Sequence, residues 1–166
     1  SLDSVCVDNV KGTRMCMHHL LSKGHRRIGI LSGSLGLQTA RERLQGYQEV
    51  MREVGGIEDD GLIRHGDFRM ESGHRLAKEM LLEREAPTAI FAANAMMGLG
   101  ALKAIRELGL RCPEDVSLAV FDDIPFGDVW AACPDWVSQG CGYPCLVEDS
   151  GPGLAENARI YVAGHH

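Results

Sequence analysis

The sequence predicts an α/β protein built on a doubly wound parallel sheet. Short apolar runs alternate along the 166 residues with amphipathic stretches of helical period. The apolar runs contain almost no polar residues, which is typical of strands that are buried on both faces. Glycine or polar residues follow each run. Together these observations give the order β-α-β-α-β-α-β-α-β, with helices covering both faces of the sheet.

The first elements follow from local signals at the amino end. Residues 5–9, VCVDN, form the first predicted strand, and Gly12 opens a helix that Gly24 ends in a left-handed conformation. The second strand covers residues 28–31, and a loop of small residues follows at 32–36. The core-facing residues of the helix are Cys16, Leu20 and Leu21.

The second helix is predicted over about residues 39–54 and ends at Gly55 and Gly56. A third strand at residues 62–65 then runs into the sequence Gly-Asp-Phe at 66–68. The apolar residues of this helix recur at spacings of three and four, which indicates one buried stripe. Its members are Leu44, Tyr47, Met51 and Val54.

The remaining elements are a helix at about residues 71–84, a strand at 88–92, a helix ending at Gly109, and a strand at 116–121. Asn94 is the natural N-cap of the last helix, because its side chain can accept from a backbone N–H of the first turn. The predicted core residues of these two helices are Leu76, Ala77, Met80, Leu81, Met97, Ala101, Ile105 and Leu108.

Composition excludes several classes of protein. A net charge of -6, with no basic run denser than residues 25–27, argues against direct binding of a nucleic-acid backbone. The chain shows neither an apolar run of membrane-spanning length nor a leader. Cys6, Cys16 and Cys112 fall inside apolar segments, which indicates buried thiols in a reducing compartment. We therefore expect a cytoplasmic protein that binds neither membrane nor cofactor.

A candidate site follows the central strand. Asp122 and Asp123 come directly after a strand that is buried on both faces, and ligands of open α/β sheets bind beyond the carboxyl ends of strands. We expect Asp122 to face a small, hydroxyl-rich ligand. A structural turn cap, or an acid and base pair of an enzyme, are the alternatives. No nucleophile elbow or phosphate-binding loop supports catalysis.

Five blocks of sequence carry a family resemblance. The chain resembles the effector-binding core of the LacI/GalR family of bacterial transcription regulators over about residues 5–130. The blocks arrive in the order of the family and at its spacing. They are VDNVKGTRMCMHHLLSKGHRRIGILSG at 7–33, TARERLQGY at 39–47, GDFRMESG at 66–73, PTAIFAANAMMGLGALKAIRELGL at 87–110 and PEDVSLAVFDDIPF at 113–126.

The resemblance implies a periplasmic-binding-protein-like fold of two lobes, of which this chain holds mainly one. It also implies a homodimer that senses a small-molecule effector, such as a sugar, and reaches operator DNA through an N-terminal head absent from this chain. The runner-up function is a sugar-binding protein of a transport system with the same fold.

The family's effector contacts carry over to positions where the motifs align. Arg43 matches a donor to ligand oxygens, Phe68 a ring that covers a sugar or base, and Asn94 and Asp122 polar contacts at strand ends. Thr39 and Leu37 match the loop and helix start that reach the effector. The family usually has Asn-Asp where this chain has Asn94 and Ala95, so one expected carboxylate is absent.

Simpler structural roles stay open for these residues. Arg43 lies in an Arg-Glu-Arg run that is typical of a solvated helix face, Thr39 can be an N-cap, and Phe68 can be a core residue. No histidine or cysteine spacing predicts a metal site, and zinc at Cys133, Cys141 and Cys145 remains a minor alternative.

The last segment differs in character, which suggests a boundary near Trp130. Residues 1–130 are expected to form the effector-binding lobe, and residues 131–166 an atypical tail that ends in part of a purification tag. The family has a segment like Arg-Pro-Pro-Leu-Thr-Thr-Val here, and suitable codons for residues 131–135, read one base later, spell Arg-Pro-Ala-Leu-Thr. We hypothesise a reading-frame slip in the gene.

Overall fold

The computed structural model describes residues 9–56, 59–122 and 159–162. Its helices are α1 Asn9–Ser22, α2 Gln38–Glu53, α3 Met70–Leu81 and α4 Ala95–Glu107, with a 3-10 helix at Asp60–Leu62. Its strands are β1 Ile28–Ser32, β2 Ile63–His65, β3 Ala89–Ala92, β4 Ser117–Asp122 and β5 Arg159–Val162.

The five strands form one sheet in the order β2-β1-β3-β4-β5. Strands β1 to β4 pair in parallel, and β5 pairs antiparallel with β4, with Asp122 opposite Arg159 in the register. The chain leaves β1 toward β2 on one side and returns to β3 on the other, so the order reverses between β1 and β3. The predicted doubly wound α/β fold is confirmed.

Side chains of the central strands alternate between two cores, because successive residues of a strand point to opposite faces. Ile30, Phe91 and Phe121 pack against α1 and α2 on one face. Leu31 and Val120 pack against α3 and α4 on the other. Burial on both faces explains why these strands are almost free of polar residues.

The first predicted strand is partly wrong and partly outside the described residues. Residues 5–8 are not among those described, and Asn9, placed at the end of that strand, is the first residue of α1. The helix therefore begins three residues before Gly12. A glycine inside a helix costs only about 1 kcal/mol, and packing of α1 on α2 offsets that cost.

The buried stripe of α2 is rotated from its predicted position. Tyr47 and Met51 are buried as predicted, whereas Leu44 is half-buried and Val54, at the C-cap, is 44% exposed. The deepest stripe of the helix also includes a charged residue, Arg43.

The predicted glycine stops of three helices are confirmed: Gly24, Gly55 and Gly109 all have positive φ. Within the described residues, no helix is long and apolar enough to cross a membrane.

Candidate functional site

The carboxyl ends of the parallel strands define the candidate site. The chain leaves β1 at Gly33 and β3 at Ala93, the two neighbouring strands between which the strand order reverses. Such a switch point opens a crevice between the loops, and ligands of open α/β proteins bind there. All five predicted site residues belong to segments that end or begin at this edge: Thr39, Arg43, Phe68, Asn94 and Asp122.

Arg43 lies beneath this edge and is only 2% exposed. Its Nε donates to Oδ1 of Asn9 at 2.9 Å, and its Nη1 donates to the carbonyl oxygen of Ala93. Its guanidinium carbon lies 4.1 Å from the centroid of the Phe121 ring. The solvated helix face considered from the sequence is therefore wrong. Arg43 links α2 to α1, β3 and β4.

Asn9 and Glu42 extend this arrangement behind the guanidinium. Nδ2 of Asn9 donates to Oε2 of Glu42 at 2.8 Å, and Asn9 is 6% exposed. Gln38 donates to the other carboxylate oxygen of Glu42 at 2.6 Å. Sequence reasoning missed Asn9 because it was assigned to a strand, and missed Glu42 because its run of charges is typical of a solvent-exposed face.

Phe68 has a left-handed backbone, with φ of 66°, in the turn between β2 and α3. The half-buried ring packs against both cores and lies directly beside Gly33, where an added Cβ would come within 2.3 Å of a ring atom. Few residues other than glycine adopt this backbone without strain. Phe68 thus serves partly as core and presents its remaining surface at the strand edge.

Asp67 holds the turn in this conformation. Its Oδ1 accepts from the backbone N–H of Arg69 at 2.9 Å and from the hydroxyl of Ser72 at 2.6 Å. Hydrogen bonds from Ser72 and then from the Arg69 backbone lower the pKa of the Asp67 carboxyl, because both stabilise its charged form. An ionised Asp67 is therefore part of the native turn at neutral pH.

Asn94 is the N-cap of α4, as predicted, and accepts from the Met97 backbone N–H at 3.0 Å. Its Nδ2 also donates to the carbonyl oxygen of Phe68 at 3.0 Å. This side chain therefore connects the end of β3 to the turn that carries Phe68. The turn after β2 and the loop after β3 are therefore fixed relative to each other.

The start of α2 is open and apolar. Thr39 is exposed and is the second residue of the helix, so its predicted alternative role as N-cap is wrong; Leu37 occupies that position without a side-chain cap. Leu35 is 46%, Leu37 48% and Met96 41% exposed, and all three follow β1 or β3 at the same edge.

Asp122 is the last residue of β4, and its side chain lies outside the described part of the chain.

Two further observations limit where other chemistry can occur. Among residues 9–56, 59–122 and 159–162, no group of three His, Cys, Asp or Glu side chains is suited to hold a metal ion. A cavity of about 330 Å³ lies at the opposite, amino edge, where Arg27 and Pro87 precede β1 and β3. Arg27, one of the two arginines that line it, is paired with Asp59 at 2.6 Å. The polar groups at the carboxyl edge remain the better site.

Comparison with known protein families places most of the chain in a described family. Residues 17–136 match the family described as Periplasmic binding protein-like domain. This match covers most of the described residues and includes α2, β3 and the turn that carries Phe68.

Several curated relatives are transcriptional regulators. The chain is 40% identical over 119 residues to the HTH-type transcriptional regulator CelR of Thermobifida fusca, covering 72% of this chain and 35% of that protein. It is 39% identical over 113 residues to the HTH-type transcriptional repressor PurR of Haemophilus influenzae, covering 68% and 34%. The chain thus spans about a third of the length of these relatives.

Solved structures give the same result. A complex of the transcriptional regulator CelR with cellobiose has a TM-score of 0.66 and 33% identity, and the match covers 70% of this chain and 40% of that one. A regulatory protein of the LacI family from Chloroflexus aggregans has a TM-score of 0.67 and 27% identity, with 81% and 56% covered.

Proposed function

This chain belongs to the family of periplasmic-binding-protein-like domains found in LacI-type regulators, and on that premise we propose that it senses a small, hydroxyl-rich effector such as a sugar. The regulator of similar fold that was solved with cellobiose supports the choice of a sugar. The names of the relatives favour a regulator over the alternative of a transport protein.

The observation that carries this proposal is the clustering of Arg43, Phe68 and Asn94 at one edge of the sheet. A guanidinium is a planar set of donors for hydroxyl oxygens, and an aromatic ring covers the apolar face of a pyranose. We propose Thr39 and Asp122 as further contacts, because the helix start and the strand end that carry them lie at the same edge. Exposed Leu35, Leu37 and Met96 would border the effector.

The proposed output is a change of conformation, without bond chemistry. An effector that binds one arrangement of two lobes more tightly shifts the population toward it by the difference in affinity. The full-length regulator would be a cytoplasmic homodimer that contacts operator DNA through an N-terminal head. Relatives named as transcriptional regulators support this proposal, and they give no support to an enzyme using Asp122 and Asp123.

A thermal-shift panel tests the proposal on the full-length regulator. The panel contains cellobiose, glucose, galactose and a nucleobase, and we expect one sugar to raise the melting temperature in proportion to the logarithm of its concentration. The same ligand should stabilise Arg43→Lys less. Arg75→Lys is the matched control, because the Arg75 side chain is 61% exposed on α3 and pairs only weakly with Glu79 at 3.4 Å. A panel in which only the nucleobase stabilises the protein would exclude a sugar effector.

A further inference from the structure

We propose that Asn9 is a positioning residue, which fixes the plane of the Arg43 guanidinium at the carboxyl edge while Glu42 fixes the orientation of the Asn9 amide. The effect on effector affinity rests on the function proposed above. The geometric part stands on the hydrogen bonds and burial of these three residues alone.

The two ends of the Asn9 amide have different partners. Its oxygen accepts from Nε of Arg43 at 2.9 Å, and its nitrogen donates to the carboxylate of Glu42 at 2.8 Å. A flipped amide would place two donors against each other at Arg43 and two acceptors against each other at Glu42. Glu42 therefore selects the one orientation in which Asn9 can accept from Arg43.

Three of the contacts that Arg43 makes orient the plane of its guanidinium. Asn9 holds the Nε edge, the Ala93 carbonyl oxygen accepts from Nη1, and the Phe121 ring lies below the guanidinium carbon at 4.1 Å. Asn9 and Arg43 are 6% and 2% exposed, so water cannot replace these partners at low cost. Of the two hydrogen-bond acceptors among these contacts, only Asn9 is a side chain and can be changed by mutation.

The packing of α1 on α2 keeps Asn9 in place. At Gly46 of α2, an added Cβ would lie 2.8 Å from the Val10 carbonyl oxygen and 2.8 Å from Cβ of Thr13. The two helices therefore cross in close contact, one turn from Asn9. Because Asn9 and Arg43 are 34 residues apart in the chain, this crossing is what brings them together. The position of the guanidinium thus depends on the position of α1.

The first arm of the test measures the Arg43 Nε–H by ¹⁵N NMR in this chain without ligand, with Arg43→Lys to assign the signal. We expect the wild-type signal to be protected from solvent exchange, and exchange in Asn9→Ala to be about tenfold faster. The double variant Asn9→Asp/Glu42→Gln keeps an acceptor oxygen for Arg43, and its glutamine amide replaces the carboxylate that would repel the aspartate. It should restore protection. Gln38→Ala is the control, because it removes only the partner on the other oxygen of Glu42.

Two results would overturn the proposal: unchanged exchange of the Arg43 signal in Asn9→Ala, or an equal increase in Gln38→Ala. If Asn9→Ala does not fold, Asn9→Ser is measured instead, because the serine side chain is too short to reach Nε of Arg43. A general loss of stability would change many arginine signals together, whereas the positioning role changes that of Arg43 first.

The second arm titrates cellobiose, glucose and galactose in turn into the full-length regulator. We expect Asn9→Ala to bind about tenfold more weakly than wild type, and the double variant Asn9→Asp/Glu42→Gln to recover part of that loss. Equal affinity in wild type and Asn9→Ala would refute the effect on affinity. A wild type that binds no sugar would count against the proposed function, while the NMR result would still decide whether Asn9 positions Arg43.

Discussion

The guanidinium carbon of Arg43 lies 4.1 Å from the centroid of the Phe121 ring, which places a cation on an aromatic face near the end of the inner strand β4. Such contacts contribute roughly 0.5–2 kcal/mol, with the larger values in desolvated sites. Phe121 is fully buried, so its ring supports the charged group from within the core. The core of this lobe and its candidate effector site therefore share a contact.

Replacing Phe121 with Leu should lower the free energy of unfolding by about 2–3 kcal/mol, since it removes both ring volume and the cation contact. Urea unfolding of the chain measures this loss. Phe91→Leu is the matched control, because Phe91 is equally buried in the same core on neighbouring β3. We expect the Phe121 variant to lose about 1 kcal/mol more than the control. Equal losses would show that the cation contact contributes nothing.

Gly33→Ala should displace the Phe68 ring, because the new Cβ would lie 2.3–2.7 Å from three ring atoms. Overpacking of this kind costs about 1–3 kcal/mol, and urea unfolding of the chain measures it. In the same loop, Gly36→Ala is the control, since its Cβ would meet nothing closer than Ser34 Oγ at 3.7 Å. Similar stability of the two variants would contradict the close contact of ring and backbone.

The close crossing of α3 and α4 predicts that Gly73→Ala and Gly100→Ala each destabilise the fold. An added Cβ at Gly100 would lie 2.2 Å from the Met70 carbonyl oxygen, and one at Gly73 would lie 2.4 Å from that of Met97. Alanine raises helix propensity by about 1 kcal/mol over glycine, so helix propensity alone predicts that both variants are more stable. We expect thermal melts to show both less stable instead. A gain in melting temperature would refute the close crossing.

The turn at Asp67 predicts a dependence of stability on pH. Because folding lowers the pKa of this carboxyl, its stabilising contribution is present above the unfolded pKa, about 3.9, and is lost as the pH falls through the lower folded pKa. Asp67→Asn should therefore reduce stability at about pH 7 and have less effect near pH 3. Unfolding curves across this range measure the difference. A constant difference would rule out the ionised carboxylate as its cause.

The elements of this fold could be predicted from the sequence because their signals are local. The runs at β3 and β4 are apolar on both faces, and Asn94 and Gly109 bound α4 at its two ends. The spacing of residues in the sequence also indicates part of the rotated buried stripe of α2. Arg43 and Tyr47 are four residues apart and Val50 follows three later, so the period alone places Arg43 on the buried face.

Other features depend on contacts that no local pattern reveals. The role of Asn9 requires the crossing of two helices, and its acceptor position for Arg43 cannot be deduced from neighbours in the chain. The left-handed backbone of Phe68 depends on Asp67 and Gly33, which act together only in the folded turn. The division of the chain near Trp130 remains a proposal, which the coding sequence of the gene tests.

Isothermal titration of the best sugar of the panel into the full-length regulator tests the central claim most directly. Wild type, Arg43→Lys and Asp122→Asn are compared, with Arg75→Lys as control. If the carboxyl edge binds the effector, both site variants should bind at least about tenfold more weakly, because each loses a directed hydrogen bond to a hydroxyl-rich ligand, while the control is unchanged. Wild-type affinity in both site variants would contradict the claim.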